Sequence, residues 1–291
     1  SAWVVDNAST DGSPEMTAGR FPAVRLIANA ANRGFAAANN QALRAMGFGR
    51  GRPAADLPRY VALLNPDTTL PAGALEAWIE AAERLPGAGV VGAGLRYPDG
   101  SFQHSAFAFP TLWQIFFDFY PVHHRLIHSR LNGRYPRAWY EREEPFRVGH
   151  PLGAAMLVRR EAIVAAGLLD EGYFIYAEEV DWCLRMRAVG WPAFCAPAVR
   201  VIHHEARSTR QARAEMFVRL WESRLRLFAK HYGPAFNWAA RRLIRLGLRK
   251  LRREARQELA RGADDDAARR RLAALDQVEE LSRRPRESFL P

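Results

Sequence analysis

Two cysteines, two lysines and no long apolar run set the first limits on this sequence of 291 residues. Cys183 and Cys195 are too few for a disulfide scaffold and form no metal-type cluster. Nothing in them argues for an oxidising compartment, so a reducing cytosol is the default expectation. No apolar stretch approaches the ~20 residues that a membrane span needs. The nearest, from Ala106 to Tyr120, is interrupted by Pro110, Gln114 and Asp118. The first residues carry no secretory-signal pattern, and there is no internal repeat. Ser1 stands where an initiator methionine would, inside what reads as a strand, so a trimmed or partial chain is expected.

The scarcity of lysine has a counterpart. With only Lys230 and Lys250, nearly all of the net charge of +11 is arginine. Arginine and alanine together are what a GC-rich genome produces; an anionic partner (nucleotide phosphates, nucleic acid or an acidic membrane face) is the sharper reading. Eight Trp and sixteen Phe exclude disorder over most of the length. The length suits one large domain with an appendage, or two smaller ones.

Short apolar runs ending in polar turns predict buried strands at 2–5, 24–27, 60–64, 90–93, 153–158 and 198–202. Helical spacing predicts helices around 35–46, 75–85, 161–166, 178–190 and 216–228, with 97–147 irregular and aromatic. Strands alternating with helices imply an α/β protein with a mostly parallel sheet, which binds ligands beyond the carboxyl ends of its strands. Asp6 and Asp67 fall at such ends. Beyond Trp238 the character changes: 241–256 holds eight basic residues and one acid, Glu254, with Leu243, Ile244, Leu248 and Leu251 as a possible apolar stripe. Asp264, Asp265 and Asp266 cap a last polar helix.

Four clusters could carry chemistry. In Val5-Asp6-Asn7-Ala8-Ser9-Thr10-Asp11-Gly12, a strand-end carboxylate could accept from the N3–H of a uracil or thymine ring. Ordinary helix capping by Asp11 or Ser13 is the alternative. In Asn65-Pro66-Asp67-Thr68, a rigid Asp could ligate a divalent ion bridging a diphosphate, or simply open a turn. Tyr176-Ala177-Glu178-Glu179-Val180-Asp181 sets three carboxylates at a helix N-terminus, where one facing a cleft could act as a general base. The plainer reading is a solvated first turn with Asp181 paired to Arg185. Val201-Ile202-His203-His204 could deliver a histidine to a metal beside Asp67; a structural strand-end histidine is commoner.

In order along the chain, VDNASTDGS (5–13), NRGFAAANN (32–40), LLNPDT (63–68), DGSFQ (99–103), GAAMLVRR (153–160), LDEGYFIYAEEVDWCLR (169–185) and ESRLRLFAKHYG (222–233) resemble the family 2 glycosyltransferases, especially their rhamnosyltransferase-like branch. The resemblance implies a Rossmann-like GT-A fold with a mixed central sheet, and inverting displacement at the anomeric carbon of a nucleoside-diphosphate sugar. It assigns Asp6 to the nucleobase and Asn7, Asn32, Arg33, Gly34 and Gly153 to the donor. Asp67 becomes the metal and diphosphate aspartate, and His204 the histidine approaching the metal (Mn²⁺ or Mg²⁺). Glu179 takes the place of the base, with Glu178 beside it for the acceptor and Asp181 as a fallback. The family's usual base is Asp, one methylene shorter than Glu179, and many relatives carry two carboxylates where Asp67 stands alone. Its first strand and helix would precede Ser1, so the sheet is expected to lack its first strand.

These readings divide the chain into a catalytic domain at 1–205, a packing helix at 206–238 and a basic helical extension at 239–291. They imply a dTDP- or UDP-linked donor, a saccharide or polyprenyl-linked acceptor and no nucleic acid. The aromatic stretch at 102–120 and the basic tail suggest docking on the anionic cytoplasmic face of a membrane. The alternatives are a non-enzymatic basic module for nucleic acid or membrane surfaces, and a nucleotidyltransferase on a similar sheet.

Overall fold

The computed structural model describes residues 1–120, 122–204, 213–261 and 265–290. The expected start of the packing helix at 206 and the cap residue Asp264 lie outside them.

The N-terminal half alternates as the apolar pattern dictates. Strand β1 (Trp3–Asp6), helix α1 (Ser13–Arg20), strand β2 (Arg25–Ala28) and helix α2 (Phe35–Ala45) lead to β3 (Tyr60–Leu64), the short β4 (Thr68–Thr69), α3 (Ala74–Glu83) and β5 (Val90–Arg96). Hairpin-scale strands β6 (Phe102–Gln103) and β7 (Ala106–Phe107) follow, then helix α4 (Leu112–Phe119) and the short helices α5 (His124–Ile127) and α6 (Arg137–Glu141). Next come β8 (Phe146–Val148), β9 (His150–Pro151), β10 (Ala155–Arg159), α7 (Arg160–Ala166), α8 (Glu178–Ala188) and β11 (Ala193–His203). Three helices close the chain: α9 (Arg213–His231), α10 (Pro234–Ala260) and α11 (Asp265–Arg283).

The main sheet is mixed, with order β3-β10-β5-β11-β4 and β6 and β8 attached at β5 and β11. Strand β5 runs parallel to β11, while β10 is antiparallel to both β3 and β5. Asp67 and His203 therefore emerge at one common end, just beyond β3 and at the close of β11. Strands β1 and β2 form their own parallel pair, separate from this sheet.

Differences from the sequence reading have local causes. The stretch 97–147 is not irregular throughout. Helix α4 starts at a capping box in which Thr111 accepts from the Gln114 N–H and Gln114 accepts from the Thr111 N–H. Strand β11 begins five residues earlier than expected, because a register irregularity between Ala196 and Arg200 absorbs Pro197 without ending the strand. The boundary drawn at 238/239 falls inside α10, an uninterrupted helix of 27 residues.

The basic tail is no free appendage. Ile244 and Leu248 of α10 are wholly buried, in one core with Ile115 and Phe119 of α4, Trp221 and Phe228 of α9, and Val278 of α11. The Phe119 ring lies where a Cβ on Gly247 would sit, its nearest carbon 2.0 Å from that point, so only glycine lets the two helices meet. The apolar stripe of the tail is thus spent inside the protein, at roughly 25 cal/mol per Å² of buried surface.

Candidate active site

Most of the predicted residues fall at the ends of strands or at the start of α8. Asp6 ends β1 largely buried, with Oδ2 accepting from the Ser9 N–H at 2.9 Å. Asp11 Oδ1 accepts from the Ser13 N–H at 3.1 Å in the turn before α1, whose cap position is Gly12, so the two aspartates of this motif have separate tasks. Asn7 ties the turn to its neighbour: its Nδ2 donates to Gly34 O at 3.2 Å and its Oδ1 accepts from Asn29 at 3.0 Å. Asn32 accepts from the Gly34 N–H, and the Arg33 N–H points at Asn7 Oδ1.

Gly34 has φ +83°, and a Cβ placed on it would meet Phe174 O at 2.4 Å. The close approach lets the Phe35 N–H donate to that same carbonyl at 2.7 Å, joining the 32–34 turn to the loop before α8. Gly34→Ala should cost about 1–3 kcal/mol through strain and contact. Thermal denaturation checks it, and an unmoved midpoint would contradict it.

The Asp67 turn is fixed by Thr68 Oγ1 donating to Asn65 O and by the Asn65 N–H donating to Ala154 O. Asp67 Oδ1 faces His203 Nε2 at 3.4 Å. Here the structure corrects the sequence assignment. The ring meeting this carboxylate belongs to His203, buried and held at Nδ1 by Gln103, whereas His204 gives Asp67 only a backbone N–H and turns its ring to Thr69. Successive strand residues point to opposite faces, so one position decides the matter. Among the described residues no group of three or more His, Cys, Asp or Glu is placed to hold a metal. Asp67 and His203 fit the smaller role, because Mg²⁺ and Mn²⁺ on a diphosphate take one or two protein ligands and complete their shell from phosphate and water.

Glu178 and Glu179 open α8 after Tyr176 and Ala177, two consecutive non-glycine residues at φ +70° and +64°. Strain of this kind persists where surrounding packing enforces it. Gly153 lies against Glu179, where a Cβ would come 3.6 Å from Glu179 Cγ. Burial pushes the Glu179 carboxyl up to about 7. Its nearest ring, His150, lies 3.9 Å away, and burial lowers that imidazole to about 4, so it stays neutral near pH 7 and does not hold the carboxylate charged. Glu178 is more deeply buried; desolvation and the Glu179 charge raise its carboxyl well above the usual range, and its Oε2 has no hydrogen-bond partner. Burial thus raises both carboxyls, and Glu179 lies in the range where it can exchange a proton near neutral pH.

Asp181 is not part of this constellation. Two residues past Glu179 it points to the other side of α8, fully buried, and binds Arg185 (2.8 Å), Lys230 (2.7 Å) and His231 (2.7 Å). Burial alone would raise this carboxyl, but the hydrogen bonds from His231, Lys230 and Arg185 and the Arg185 charge outweigh it and hold Asp181 well below the ordinary carboxylate range, so it cannot serve as a fallback base. His203 and Gln103, which the sequence offered only within longer motifs, meet beside Asp67, and His150, which it did not single out, lies beside Glu179.

A mixed sheet of this order, with a strand-end aspartate beside a buried histidine and a buried carboxylate at the start of α8, is the framework of a GT-A glycosyltransferase. The sequence model of Glycosyl transferase family 2 matches residues 2–163, and the chain belongs to that family. It is 36% identical over 220 residues to the N-acetylglucosaminyl-diphospho-decaprenol L-rhamnosyltransferase of Mycobacterium tuberculosis, covering 72% of this chain and 68% of that protein. The rhamnosyltransferase WbbL of Escherichia coli matches at 35% over 65 residues, 22% of this chain and 25% of that one. The structure of GalNAc-T7 with UDP, GalNAc and Mn²⁺ shares the fold at TM-score 0.53 and 14% identity, over 96% of this chain and 49% of that one. The protein is a glycosyltransferase of the rhamnosyltransferase-like branch, which favours this reading over the basic-module and nucleotidyltransferase alternatives.

Proposed function

We propose that the chain transfers a sugar, with inversion, from a dTDP- or UDP-linked donor to a saccharide on a polyprenyl diphosphate in cell-envelope polysaccharide synthesis. Rhamnose is the sugar that the relatives favour. The observation that carries the reading is Glu179: a buried carboxylate raised to about 7, on the rim that Asp67 and His203 share through the Asn65–Ala154 hydrogen bond. Asp6 takes the nucleobase edge, and Asn7, Asn32, Arg33 and Gly34 shape the wall along the donor. Glu178 donates to the acceptor and Glu179 accepts the proton of its attacking hydroxyl. Asp67 and His203 would hold a divalent cation, which when bound neutralises the charge growing on the departing diphosphate.

Titration calorimetry of dTDP, UDP and GDP, with and without Mn²⁺, tests this. One thymidine or uridine diphosphate should bind in a metal-dependent way, and Asp67→Asn should weaken it at least tenfold. Equal binding of all three nucleotides, insensitive to metal and to Asp67, would remove the reading.

A polyprenyl-linked acceptor supports a position at the inner face of the cell membrane. Among the described residues no helix is long and apolar enough to cross a membrane. The outer face of α10 instead exposes Trp238, Arg242, Leu246, Arg249 and Arg253, a basic face with two apolar anchors suited to an anionic leaflet. Sedimentation with anionic vesicles should carry the protein down, and a charge-reversed Arg242, Arg249 and Arg253 variant should stay in solution.

A further inference from the structure

A cavity of about 480 Å³ lies away from the rim, between the end of α8 and the start of β11. Its walls include Phe109, Tyr135 and Trp139, and its mouth carries Arg130, Arg147 and Arg187. No acidic side chain lines it. Each of these arginines is exposed, and among the described residues none forms an ion pair. Two of them rest on the cavity's own aromatic walls: the Arg130 guanidinium sits 5.4 Å from the Trp139 ring and that of Arg187 sits 5.5 Å from Phe109.

Most buried or half-buried arginines in this protein have found an acid or a carbonyl, as Arg185, Arg226 and Arg252 have. Three guanidiniums left to converge around one opening repel one another, and the arrangement gains stability when an anion enters. The fork geometry of arginine matches phosphate oxygens two at a time, and flat aromatic walls suit a planar or apolar body attached to the phosphate.

We propose that this cavity is a second ligand site, taking a phosphate- or diphosphate-bearing molecule with its anionic group on Arg130, Arg147 and Arg187 and its apolar part on Phe109, Tyr135 and Trp139. It is separate from the donor rim. Ala193 opens β11 at the end opposite His203, and Arg187 lies roughly 12 Å along the α8 axis from Glu179 at 1.5 Å per residue. It is not isolated, however. Phe109 stacks on His150 with centroids 6.2 Å apart, and His150 lies 3.9 Å from Glu179, so an occupant pressing on Phe109 is two rings from the catalytic carboxylate.

The test uses the full chain in EDTA, which silences metal-dependent donor binding. Inorganic pyrophosphate, dTDP and farnesyl diphosphate are titrated by calorimetry against the native protein and an Arg147→Glu/Arg187→Glu variant. At least one ligand should bind the native protein and lose tenfold or more in the variant, whose metal-dependent nucleotide binding should be unchanged. Both arginines are exposed, and a matching thermal midpoint verifies that the variant is folded. Trp139→Phe should remove the accompanying tryptophan fluorescence change. Preference for farnesyl diphosphate assigns a lipid diphosphate, preference for dTDP assigns a nucleotide, and parity assigns the free anion. No binding at millimolar concentration, or binding indifferent to the two substitutions, overturns the proposal. Because nothing here depends on turnover, its failure is distinguishable from failure of the transfer reading.

Discussion

Glu179→Gln is expected to lower transfer by about 10²–10⁴-fold, the range that a positioned general base contributes. Glutamine keeps the volume against Gly153 and leaves the Asp6, Asp67 and His203 wall untouched, so nucleotide affinity should change by less than about twofold. The pH profile gives a second readout. Burial raises the Glu179 carboxyl to about 7 in the folded protein, and in the proposed base role only its ionised form would deprotonate the acceptor hydroxyl. The rate should therefore climb about tenfold per pH unit below that value and level off above it. His150 is neutral across this window, since its ring is lowered to about 4, and it adds no opposing limb near neutrality. Turnover by Glu179→Gln within threefold of the native rate would take the base role away from this residue, and Glu178→Gln would be the next variant to measure.

The same raised value bears on stability, with the opposite sign from a paired carboxylate. A carboxyl that is harder to ionise when folded favours the folded state while protonated and loses that advantage as pH rises through the ordinary carboxylate range toward 7. The site is therefore held at a cost at working pH, as expected of a group kept for chemistry and not for stability.

Much of this arrangement could be read from the residues before any coordinates. Asp6, Asp67 and Glu179 each follow a short apolar strand or open a helix, and such junctions fix a side chain within a residue or so. What escaped was governed by register and by packing. His203 and His204 are adjacent, and only the alternation of Val199, Val201 and His203 on the buried face of β11 separates them. That period of two was present in the sequence, and counting it would have chosen His203. Helix α4 hid for a different reason: Leu112, Trp113, Ile115, Phe116, Phe117 and Phe119 leave almost no polar face, so helical periodicity vanishes. The capping signature Thr111-x-x-Gln114 was its one legible mark. The cavity of three arginines draws on α5–α6, β8 and the end of α8, and no local pattern joins positions so far apart in the chain.

Asp181→Ala is expected to be the most destabilising of the changes considered, at about 3 kcal/mol, with the thermal midpoint falling on the order of 10 °C. Its carboxylate has no solvent exposure and gathers Arg185 from its own helix with Lys230 and His231 from α9. Removing it strands three donors against one another in a half-buried space. Lys230 keeps Asp170, and Arg185 keeps the carbonyls of Ala166 and Leu168, which holds the loss to the lower part of the range for a broken buried pair. The sign with pH follows from the lowered carboxyl. The contribution is complete above the ordinary Asp value of 3.8 and is lost as acid drives pH down toward the folded value. Native protein should lose stability steeply over that acid window and the variant less so. Because α8 carries Glu179 at its first turn while Asp181 pins that turn to α9, folded Asp181→Asn at low temperature should keep measurable transfer, which a catalytic base could not. A midpoint within 2 °C of native, or transfer lost as completely as in Glu179→Gln, would show that Asp181 does not serve as this clamp.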